Sequence, residues 1–423
     1  MASSPVKSRA GANCQIIFTG DVFRCIGTRP RKGGAMGKIY FDNGSTSFPK
    51  APGVARAMAE FLERGAFNIN RGGYEGAYEM AGRVLDTREM LAKLFHAESS
   101  RQVIFTPGIT WSLNMFLNGF LREGDHVVVS GMEHNGVMRP LEQLRKTKGI
   151  SYDVARTSSE GEVTAEAVEE KIGPKTRLVL VLHASNVCGT VLPIEEIGEV
   201  CKRHDVFFAV DTAQSAGTLS IDMQKANIDF LGFTGHKGLK GPQGIGGFLI
   251  SPELDACVRP VILGGTGSHS DLLSQPEELP DKYESGTMNL PGIIGLHAAL
   301  SYLEETGIDV IRREKEQLTA RFLDGVREIP GVRVIGKQTM EHRTAVVSLD
   351  FPEMDNAIAA FLLEQEYGIM TRVGLHCAPL AHQSLGTFPK GTVRFSFSEQ
   401  NTEEEIVRGI EAVKRITENR NYL

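Results

Sequence analysis

The chain has 423 residues, of which 41% are hydrophobic and 23% charged, and its formal net charge at pH 7 is -6. A chain of this length and composition can bury a large core, and without a basic excess it is not expected to bind nucleic acid. Its longest apolar runs, such as residues 178–182, fall far short of the roughly 20 residues that span a bilayer, so we expect no membrane association.

The six cysteines are scattered along the chain and form no CxxC pair. Such spacing predicts neither a zinc site nor a disulfide framework, and a chain of this size does not need disulfides to be stable. We therefore expect no metal, and we expect a reducing, cytoplasmic location.

The first 35 residues contain several lysines and arginines, no hydrophobic periodicity and no apolar stretch long enough for a secretory signal. We expect residues 1–35 to form a disordered extension, with Met36 as the functional start of the chain. An organelle transit peptide is the alternative interpretation of the same residues. Residues 36–49 are expected to form an N-terminal segment that packs with a small C-terminal domain.

From Ile39 onwards, short apolar runs alternate with amphipathic stretches in the manner of βαβ units. Helices are predicted over 52–63, 78–95, 110–120, 194–203 and 292–305. Buried strands are predicted over 127–130, 178–183, 207–211 and 230–234. This alternation indicates a large α/β domain over residues 50–290, with a mainly parallel sheet covered by helices.

After about residue 290 the pattern changes to a long helical stretch followed by shorter elements. Strands are predicted over 345–349 and 393–397, with a helix over 355–367 between them and a final amphipathic helix from Thr402. These elements indicate a smaller α+β domain over residues 291–423. In open α/β sheets ligands bind beyond the carboxyl ends of the strands, so the residues that follow the strands of the large domain are the candidates for a functional site.

Asp211 ends an apolar strand in the run FFAVDTAQSAG. An ionised carboxylate at such a place is costly unless a cation meets it, and a protonated pyridine nitrogen would serve. The alternative is that Asp211 only caps the turn or helix that follows it.

Lys237 follows the next predicted strand, in the glycine-rich run DFLGFTGHKGLKGPQGIGGF. A lysine held there is partly desolvated, which lowers the pKa of its amine and frees the amine to form an imine. A surface lysine in a loop is the alternative for Lys237 alone. Together with Asp211, however, it forms the pair that a pyridoxal phosphate (PLP) protein requires, an imine-forming lysine and an aspartate for the pyridinium.

The strings VDTAQ and TGHKG, in this order and spacing, resemble the PLP site of the class V aminotransferase enzymes of fold type I, and the resemblance extends over essentially all of residues 38–416. It implies a PLP-dependent α/β transferase fold, with a seven-stranded, mainly parallel mixed sheet in the large domain. It also implies that Lys237 holds PLP as a Schiff base, that Asp211 contacts the ring nitrogen and that Gln214 bonds the phenolate oxygen.

Gly108, Ile109 and Thr110, in FTPGITWSLN, lie at a strand-to-helix junction, where backbone N–H groups and the helix dipole suit the cofactor phosphate. A plain helix cap is the alternative for these residues. The string MEHNGVMRP resembles the family motif whose histidine stacks on the cofactor ring, which implies this position and a part in catalysis for His134. A lone histidine would more often be a turn residue.

Other strings of the family bring more residues to the cofactor. LHASNVCGT implies that Asn186 lies beside the cofactor and the substrate, and TGHKG implies Thr234 and His236 as phosphate ligands. YESGTMN resembles the segment that reaches the phosphate of the neighbouring subunit. Thr287 in this string therefore implies a homodimer with shared active sites.

The string RVGLHCAPL resembles the Arg-x-Gly-x-His-Cys signature of cysteine desulfurases and selenocysteine lyases with a short catalytic loop. It implies Cys377 as the sulfur acceptor, and a cationic Arg372 or a protonated His376 would favour its thiolate. A small buried hydrophobe is the alternative for a single cysteine. Arg394, in GTVRFSFSEQNT, matches the family arginine that binds the substrate carboxylate, with Arg372 also on the substrate side; a surface ion pair is the alternative.

The resemblance therefore implies a cysteine desulfurase, which converts L-cysteine to L-alanine and leaves a persulfide on Cys377 for a sulfur-acceptor protein, in iron–sulfur cluster assembly or other sulfur metabolism. The alternatives on the same scaffold are a selenocysteine lyase, a kynureninase-like lyase, an epimerase and a transaminase. Outside enzymes, the alternative is an inactive PLP-binding scaffold or a regulator, because a fold does not determine a function.

The chain departs from the better-studied short-loop members at three places. Tyr74, in NINRGGYEG, stands where many members have a histidine. The span between Gly264 and Gly286 is shorter than the corresponding partner-facing hairpin, and Leu290 occupies a position where a small residue is usual. These departures leave the PLP motifs intact and indicate a divergent branch.

Overall fold

The computed structural model describes residues 15–19, 22–26, 37–65, 67–69 and 72–418 of the chain. Before residue 37 it describes two strands, β1 (Gln15–Thr19) and β2 (Val22–Ile26), which pair antiparallel and are not among the elements predicted from the sequence. The rest of the expected N-terminal extension lies outside the described residues. The prediction for residues 1–35 therefore stays a prediction.

From Ile39 onwards, strands and helices alternate over most of the chain. The further strands are β3 (Ile39–Tyr40), β4 (Val103–Thr106), β5 (His126–Ser130), β6 (Ser151–Ala155), β7 (Thr176–Leu182), β8 (Phe207–Asp211), β9 (Phe230–Thr234), β10 (Gly246–Ile250), β11 (Arg333–Ile335), β12 (Val346–Asp350), β13 (Ile369–Met370), β14 (Arg372–Gly374) and β15 (Thr392–Ser396). The helices are α1 (Val54–Arg64), α2 (Glu75–Phe95), α3 (Ile109–Phe120), α4 (Asn135–Lys148), α5 (Ala165–Glu169), α6 (Ile194–Arg203), α7 (Pro252–Asp255), α8 (Leu290–Thr306), α9 (Ile308–Val326), α10 (Asn356–Tyr367), α11 (Pro379–Ser384) and α12 (Glu403–Glu418). None of the helices described here is both long enough and apolar enough to cross a membrane.

The larger sheet has seven strands in the order β4-β10-β9-β8-β7-β5-β6. The five strands β9, β8, β7, β5 and β6 run parallel to one another. Strand β10 runs antiparallel to both of its neighbours, β4 and β9. This sheet confirms the predicted α/β fold with a seven-stranded, mainly parallel mixed sheet.

Both faces of the seven-stranded sheet are buried. Successive side chains of a strand point to opposite faces, and in this sheet both sets of side chains lie in hydrophobic clusters. In β5, Val127 and Val129 belong to one hydrophobic cluster and Val128 to another. In β7, Leu180 and Val179 are divided between the same two clusters. Continuous apolar runs such as those of β5 and β7 are therefore typical of parallel strands that helices cover on both sides.

A second, antiparallel sheet has the order β11-β12-β15-β14. Beside it, β3 pairs parallel with β13, and Ile39 and Phe41 belong to the same hydrophobic cluster as Phe395 of β15. The segment that begins at Ile39 therefore packs with elements from the C-terminal part of the chain. The domain boundaries at residues 50 and 290 stay a prediction.

The sequence pattern predicts some elements far better than others. The predicted bounds of α6, β8 and β9 agree with the structure residue for residue. Strand β10 is not predicted, because it begins with two glycines, which have low strand propensity. A Cβ atom on Gly247 would lie 2.1 Å from the carbonyl oxygen of Ile104, so the close approach of β4 requires glycine at this position.

Candidate active site

The carboxyl ends of β5, β7, β8 and β9 open into a cavity of about 450 Å³. Residues of the N-terminal segment and of two strands of the antiparallel sheet, β14 and β15, complete its wall. The predicted site residues that line it are Gly108, Ile109, Thr110, His134, Asn186, Asp211, Gln214, Thr234, His236, Lys237, Arg372 and Arg394. The carboxyl ends of the parallel strands thus bring together residues that lie far apart in the sequence, as expected for an open α/β sheet.

Asp211 is the last residue of β8, and its side chain is almost completely buried. Its Oδ1 accepts a hydrogen bond of 2.8 Å from the backbone N–H of Ala213. Burial raises the pKa of Asp211 above its ordinary value, although the Ala213 N–H and the Lys237 ammonium act in the opposite direction. A cation placed against Asp211 would relieve the cost of this buried charge.

Lys237 lies three residues beyond β9 and faces the same cavity as Asp211. Burial lowers the pKa of its amine to about 8, and the positive charges of Arg394 and Arg372 lower it further, against the effect of Asp211. A larger fraction of Lys237 is therefore neutral near pH 7 than for an ordinary lysine. A neutral amine is the form that attacks a carbonyl group to form an imine.

The N-terminus of α3 also borders the cavity. Gly108 precedes the helix with φ of 153°, in a region that favours glycine, and no side chain caps the helix. The backbone N–H groups of Ile109 and Thr110 are therefore available for an anion, which the dipole of this 12-residue helix also favours. Thr234 lies next to this helix end, since a Cβ on Gly108 would be 3.6 Å from its hydroxyl oxygen.

His236, which the sequence suggests as a second phosphate ligand, is held by the N-terminal segment. Its Nδ1 lies 3.1 Å from the hydroxyl of Thr46. Burial, together with the charges of Lys237 and Lys50, lowers the pKa of His236 to about 4. Its ring is therefore neutral at pH 7, so it can reach a phosphate as a hydrogen-bond donor and not as a cation.

His134 caps the N-terminus of α4. Its Nδ1 accepts a hydrogen bond of 2.9 Å from the N–H of Gly136, so the proton of the neutral ring lies on Nε2. Burial, aided by the charges of Lys237 and Arg372, lowers the pKa of His134 to about 4. At pH 7 this histidine is a neutral ring that offers one N–H donor to the cavity.

Glu133, next to His134, is a buried carboxyl group that the sequence analysis did not single out. Its Oε1 accepts hydrogen bonds from the hydroxyl of Ser130 and, at 3.0 Å, from the N–H of Leu182, which joins the ends of β5 and β7. Burial raises the pKa of Glu133 to about 8, so it is mostly protonated at pH 7. The sequence did contain a signal for Glu133, because this glutamate lies three residues after the apolar strand β5.

Cys377 lies in the loop between β14 and α11, and its side chain is exposed. It and His376 both have left-handed backbones, with φ of 58° and 51°. Two hydrogen bonds from residues that follow β5 and β7 of the large sheet hold this turn. The N–H of Asn135 donates to the carbonyl of Cys377 at 2.7 Å, and the side-chain amide of Asn186 donates to the carbonyl of His376 at 2.7 Å.

The cationic neighbour of Cys377 is Arg372 and not His376. Arg372 Nη2 lies 3.4 Å from Cys377 Sγ. His376 is buried, and burial followed by the charge of Arg394 lowers its pKa well below the ordinary value. The expectation that a protonated His376 would favour the thiolate is therefore wrong, because its ring is neutral, and the charged group in contact with the sulfur is the guanidinium of Arg372.

Arg394 lies on β15 and is completely buried, which excludes the alternative of a surface ion pair. Its Nη2 donates to Oδ1 of Asp42 at 2.8 Å and to the hydroxyl of Ser45 at 2.7 Å, and its Nη1 donates to the carbonyl of Asn186 at 3.0 Å. Ser45 also accepts a bond of 3.3 Å from Arg372. Asp42 and Ser45 were not predicted as site residues, because residues 36–49 were expected only to pack with the small C-terminal domain.

Thr287 does not line the main cavity but an adjoining cavity of about 260 Å³. The two cavities share Pro107 and Trp111 in their walls. Trp111 is the single tryptophan of the chain, is 52% exposed and was not predicted as a site residue. Gln214, by contrast, lines the main cavity and donates to the carbonyl of Gly44 at 3.0 Å.

This set of groups fits PLP in its chemistry. It contains an amine with a lowered pKa, a buried carboxyl group, the open N-terminus of a helix and the side-chain Oδ1 of Asn186, which is buried without a hydrogen-bond partner. The first three groups match an aldehyde, a pyridine nitrogen and a phosphate, and the Asn186 oxygen can accept a hydrogen bond from a bound ligand. Within the described part of the chain, no group of histidine, cysteine or carboxylate side chains could hold a metal ion.

The sequence is similar to a known family and to relatives from other organisms. The family model of the aminotransferase class-V family matches residues 39–408. A probable cysteine desulfurase of Pyrococcus abyssi is 35% identical over 376 residues, which cover 87% of this chain and 91% of that protein. A probable cysteine desulfurase of Halalkalibacterium halodurans is 34% identical over 398 residues, which cover 89% of this chain and 93% of that protein.

Solved structures show the same similarity in three dimensions. The apo structure of a cysteine desulfurase from Thermococcus onnurineus superposes with a TM-score of 0.84 at 31% identity and covers 90% of this chain and 95% of that one. The cysteine desulfurase CsdA of Escherichia coli superposes with a TM-score of 0.81 at 28% identity and covers the same shares. The similarity therefore extends over nine-tenths of the chain.

Proposed function

Because the chain belongs to the aminotransferase class-V family and, within it, to the PLP-dependent cysteine desulfurases, we propose that it converts L-cysteine to L-alanine and passes the sulfur of the substrate to Cys377. One observation carries the assignment of the sulfur acceptor. Cys377 is exposed, lies against the guanidinium of Arg372, and is held by residues of the same sheet edge that carries Lys237. A transaminase, an epimerase or a kynureninase-like lyase has no use for such a thiol.

The residues of the main cavity would hold PLP as follows. Lys237 would bind its aldehyde carbon, Asp211 its ring nitrogen and the N-terminus of α3 its phosphate, with Thr234 beside the phosphate. His134 would lie on the ring, Gln214 would bond its phenolate oxygen, and Asn186 would lie beside the cofactor and the substrate. When bound there, PLP supplies an electron sink for the charge that develops at the α-carbon of the substrate.

Lys237 is the group that moves protons in this proposal. Its pKa of about 8 leaves part of the amine free to accept a proton at neutral pH. His134 is less suited to the same task, because Nδ1 accepts the N–H of Gly136 and Nε2 already carries a proton. His134 would instead keep its place on the ring and donate through Nε2.

The sulfur transfer is a displacement at the sulfur of the substrate. The Cys377 thiolate, which lies beside the guanidinium of Arg372, attacks that sulfur, so that a sulfur–sulfur bond forms and the carbon–sulfur bond breaks. The electron pair stays on the substrate carbon, which takes up a proton and leads to alanine. Cys377 then carries a persulfide for a sulfur-acceptor protein, in the cytoplasm, for iron–sulfur clusters or other sulfur-containing products.

Arg394 would bind the carboxylate of the substrate. It is completely buried and already bonds Asp42 and Ser45, so its guanidinium has one fixed orientation before the substrate arrives. A preorganised donor loses little entropy when it binds its ligand. Arg372, which shares Ser45 with Arg394, would lie on the same side of the substrate.

The proposed reaction is tested by its products. Under anaerobic conditions, the PLP-bound protein incubated with L-cysteine and a thiol reductant should release alanine and sulfide in equal amounts. Formation of a keto acid with loss of the amino group would instead show a transaminase. Selenocysteine as the only substrate cleaved would show a selenocysteine lyase, and retention of PLP without any product would show an inactive scaffold.

We also propose a homodimer in which Thr287 serves the phosphate of the partner subunit. Thr287 lines the cavity that adjoins the main one, close to an exposed Trp111. Thr287→Ala should retain PLP about tenfold less well, since it loses a hydrogen bond to a charged group. The assignment of Thr287 to the partner can be tested by complementation.

For this test, Thr287→Ala and Lys237→Ala chains carrying different tags are produced together and the mixed dimer is purified. If the sites are shared, one of its two sites contains both intact residues, and the mixed dimer should be active although each parent variant is impaired. A mixed dimer no more active than its parents would place Thr287 in the site of its own subunit. A fully active monomer in sedimentation would contradict the dimer itself.

A further inference from the structure

A second lysine follows Lys237 on the same turn and is even more deeply buried. Lys240 is 3% exposed and has a left-handed backbone with φ of 58°. Its N–H donates to the carbonyl of Lys237 at 2.8 Å, and its own carbonyl accepts the N–H of Ala51 at 3.1 Å. The backbone of Lys240 is thus fixed on both sides, directly beside the residue proposed to bind PLP.

The ammonium of Lys240 forms a buried ion pair with Glu399. Each of the two side chains is only 4% exposed. Lys240 Nζ also donates to the hydroxyl of Ser398 at 3.3 Å, and Glu399 is the only carboxylate that pairs with it among the residues that the structure describes. Burial by itself would raise the pKa of Glu399, but the charge and hydrogen bond of Lys240, together with the charge of Lys315, outweigh this effect and keep the pKa below its ordinary value.

The ion pair joins the two parts of the chain that meet at the cavity. Lys240 belongs to the turn that follows β9 and presents Lys237. Glu399 lies just beyond β15, the strand that presents Arg394. These two turns come from different sheets, and the pair crosses directly between them.

Stability alone gives no reason for this arrangement. Exchange of a buried ion pair for apolar residues of similar size is often neutral or stabilising. In addition, Lys315 of α9 lies in the same region, with Nζ 3.1 Å from the hydroxyl of Thr218, and burial lowers its pKa to about 8. The charges of Lys240 and Lys315 thus both act on the one carboxylate of Glu399, which makes the cluster more costly than a single pair.

We propose that the Lys240–Glu399 ion pair is a positioning device for the reaction, which fixes the amine of Lys237 relative to the guanidinium of Arg394. The inference rests on the proposed roles of Lys237 and Arg394. The amine must reach the α-proton of a substrate whose carboxylate is held by Arg394. A displacement of about 1 Å between two such groups can reduce a rate about a hundredfold, so a rigid link between their turns has a direct catalytic effect.

The test compares Lys240→Met, Glu399→Gln and the double variant. Each single variant leaves a buried charge without its partner, and its melting temperature should fall by about 5 °C or more. Glu399→Gln should lose more stability than Lys240→Met, because Lys240 and Lys315 then face each other without a carboxylate. The double variant removes both charges of the pair and should be more stable than Glu399→Gln, because only Lys315 is then left without the carboxylate.

Catalysis should not recover with stability. In all three variants we expect kcat per bound PLP to be about tenfold lower, with KM for cysteine nearly unchanged, because Arg394 still binds the carboxylate. The rate at which the apoprotein forms its borohydride-reducible link to PLP should also fall, since this step depends on the position of Lys237 and does not involve Arg394. This second measurement does not require cysteine turnover.

Lys315→Met is the matched control, because it removes a buried amine from the same cluster but leaves the ion pair in place. Its kcat and its rate of PLP attachment should equal those of the parent. A double variant in which kcat and the attachment rate return with the melting temperature would show that the pair is only structural and overturn the proposal. The parent protein is measured first, so a failure of the proposed desulfurase function would be evident before any variant is compared.

Discussion

Replacement of Cys377 by serine should abolish the persulfide and reduce the formation of alanine from cysteine by about a thousandfold or more. Serine is nearly isosteric, but its hydroxyl does not provide the sulfur nucleophile that the transfer requires. PLP binding and the visible spectrum should remain, because Cys377 does not line the main cavity. Persulfide is measured by alkylation and mass spectrometry of the protein after a single turnover, and alanine by amino-acid analysis.

Cys257→Ser is a suitable control. Cys257 is also a free cysteine, it is partly buried, and it does not line the main cavity. It should leave persulfide and alanine formation at the parent level. Selenocysteine should still be cleaved by Cys377→Ser, because selenium leaves more readily and depends less on attack by a thiolate. If Cys377→Ser instead produces alanine from cysteine at the parent rate, Cys377 is a structural residue and the proposed mechanism is wrong.

Lys237→Ala should fold and yet lose both the covalent link to PLP and all measurable turnover. The link requires the Lys237 amine, and alanine at this position removes the only group that we assign to proton transfer. The expected results are loss of the yellow absorbance of the linked cofactor and no tritium incorporation with labelled borohydride. A covalent link that persists in this variant would move the PLP site to another lysine.

Lys148 provides a matched control for Lys237. It is a partly buried lysine of α4 whose pKa is also lowered, first by burial and then by the charge of Arg122, and its Nζ donates to the carbonyl of Asn118 at 2.7 Å. Lys148→Ala should keep the link to PLP and the parent activity. If Lys148→Ala also lost the covalent link to PLP, the result for Lys237→Ala would reflect general damage to the fold.

The pKa of Lys237 also predicts how PLP attachment depends on pH. A lysine whose pKa is lowered to about 8 is protonated below this value and neutral above it. Because only the neutral amine attacks the aldehyde, the attachment rate should rise about tenfold per pH unit at low pH and level off above pH 8. A lysine with an ordinary pKa would show a rate that still rises at pH 10.

The sequence predicts the parallel part of the fold well, because the strands of that part are buried on both faces. Uninterrupted apolar runs such as β8 and β9 have few other interpretations, and their polar ends identify Asp211 and Lys237 as candidates. The same reasoning fails for β10. Its two glycines result from the close approach of neighbouring strands, and such a requirement leaves no periodic pattern in the sequence.

The parts of the site that were missed depend on contacts between distant segments. Asp42 and Arg394 are 352 positions apart in the sequence, and only the pairing of the N-terminal segment with the antiparallel sheet brings them together. The neutral state of His376 was missed for a related reason. Protonation depends on burial, and the letters around a histidine do not reveal how deeply the folded chain buries it.

The Cys377 loop takes its shape from outside itself. Two successive non-glycine residues with left-handed backbones are unfavourable in isolation, and the bonds from Asn135 and Asn186 are what hold them in place. The string RVGLHCAPL grafted onto another scaffold would therefore relax, and its thiol would point elsewhere. By the same argument, a genome search with this string alone would collect proteins that cannot accept sulfur, and a search that also requires the asparagine after β7 would be more selective.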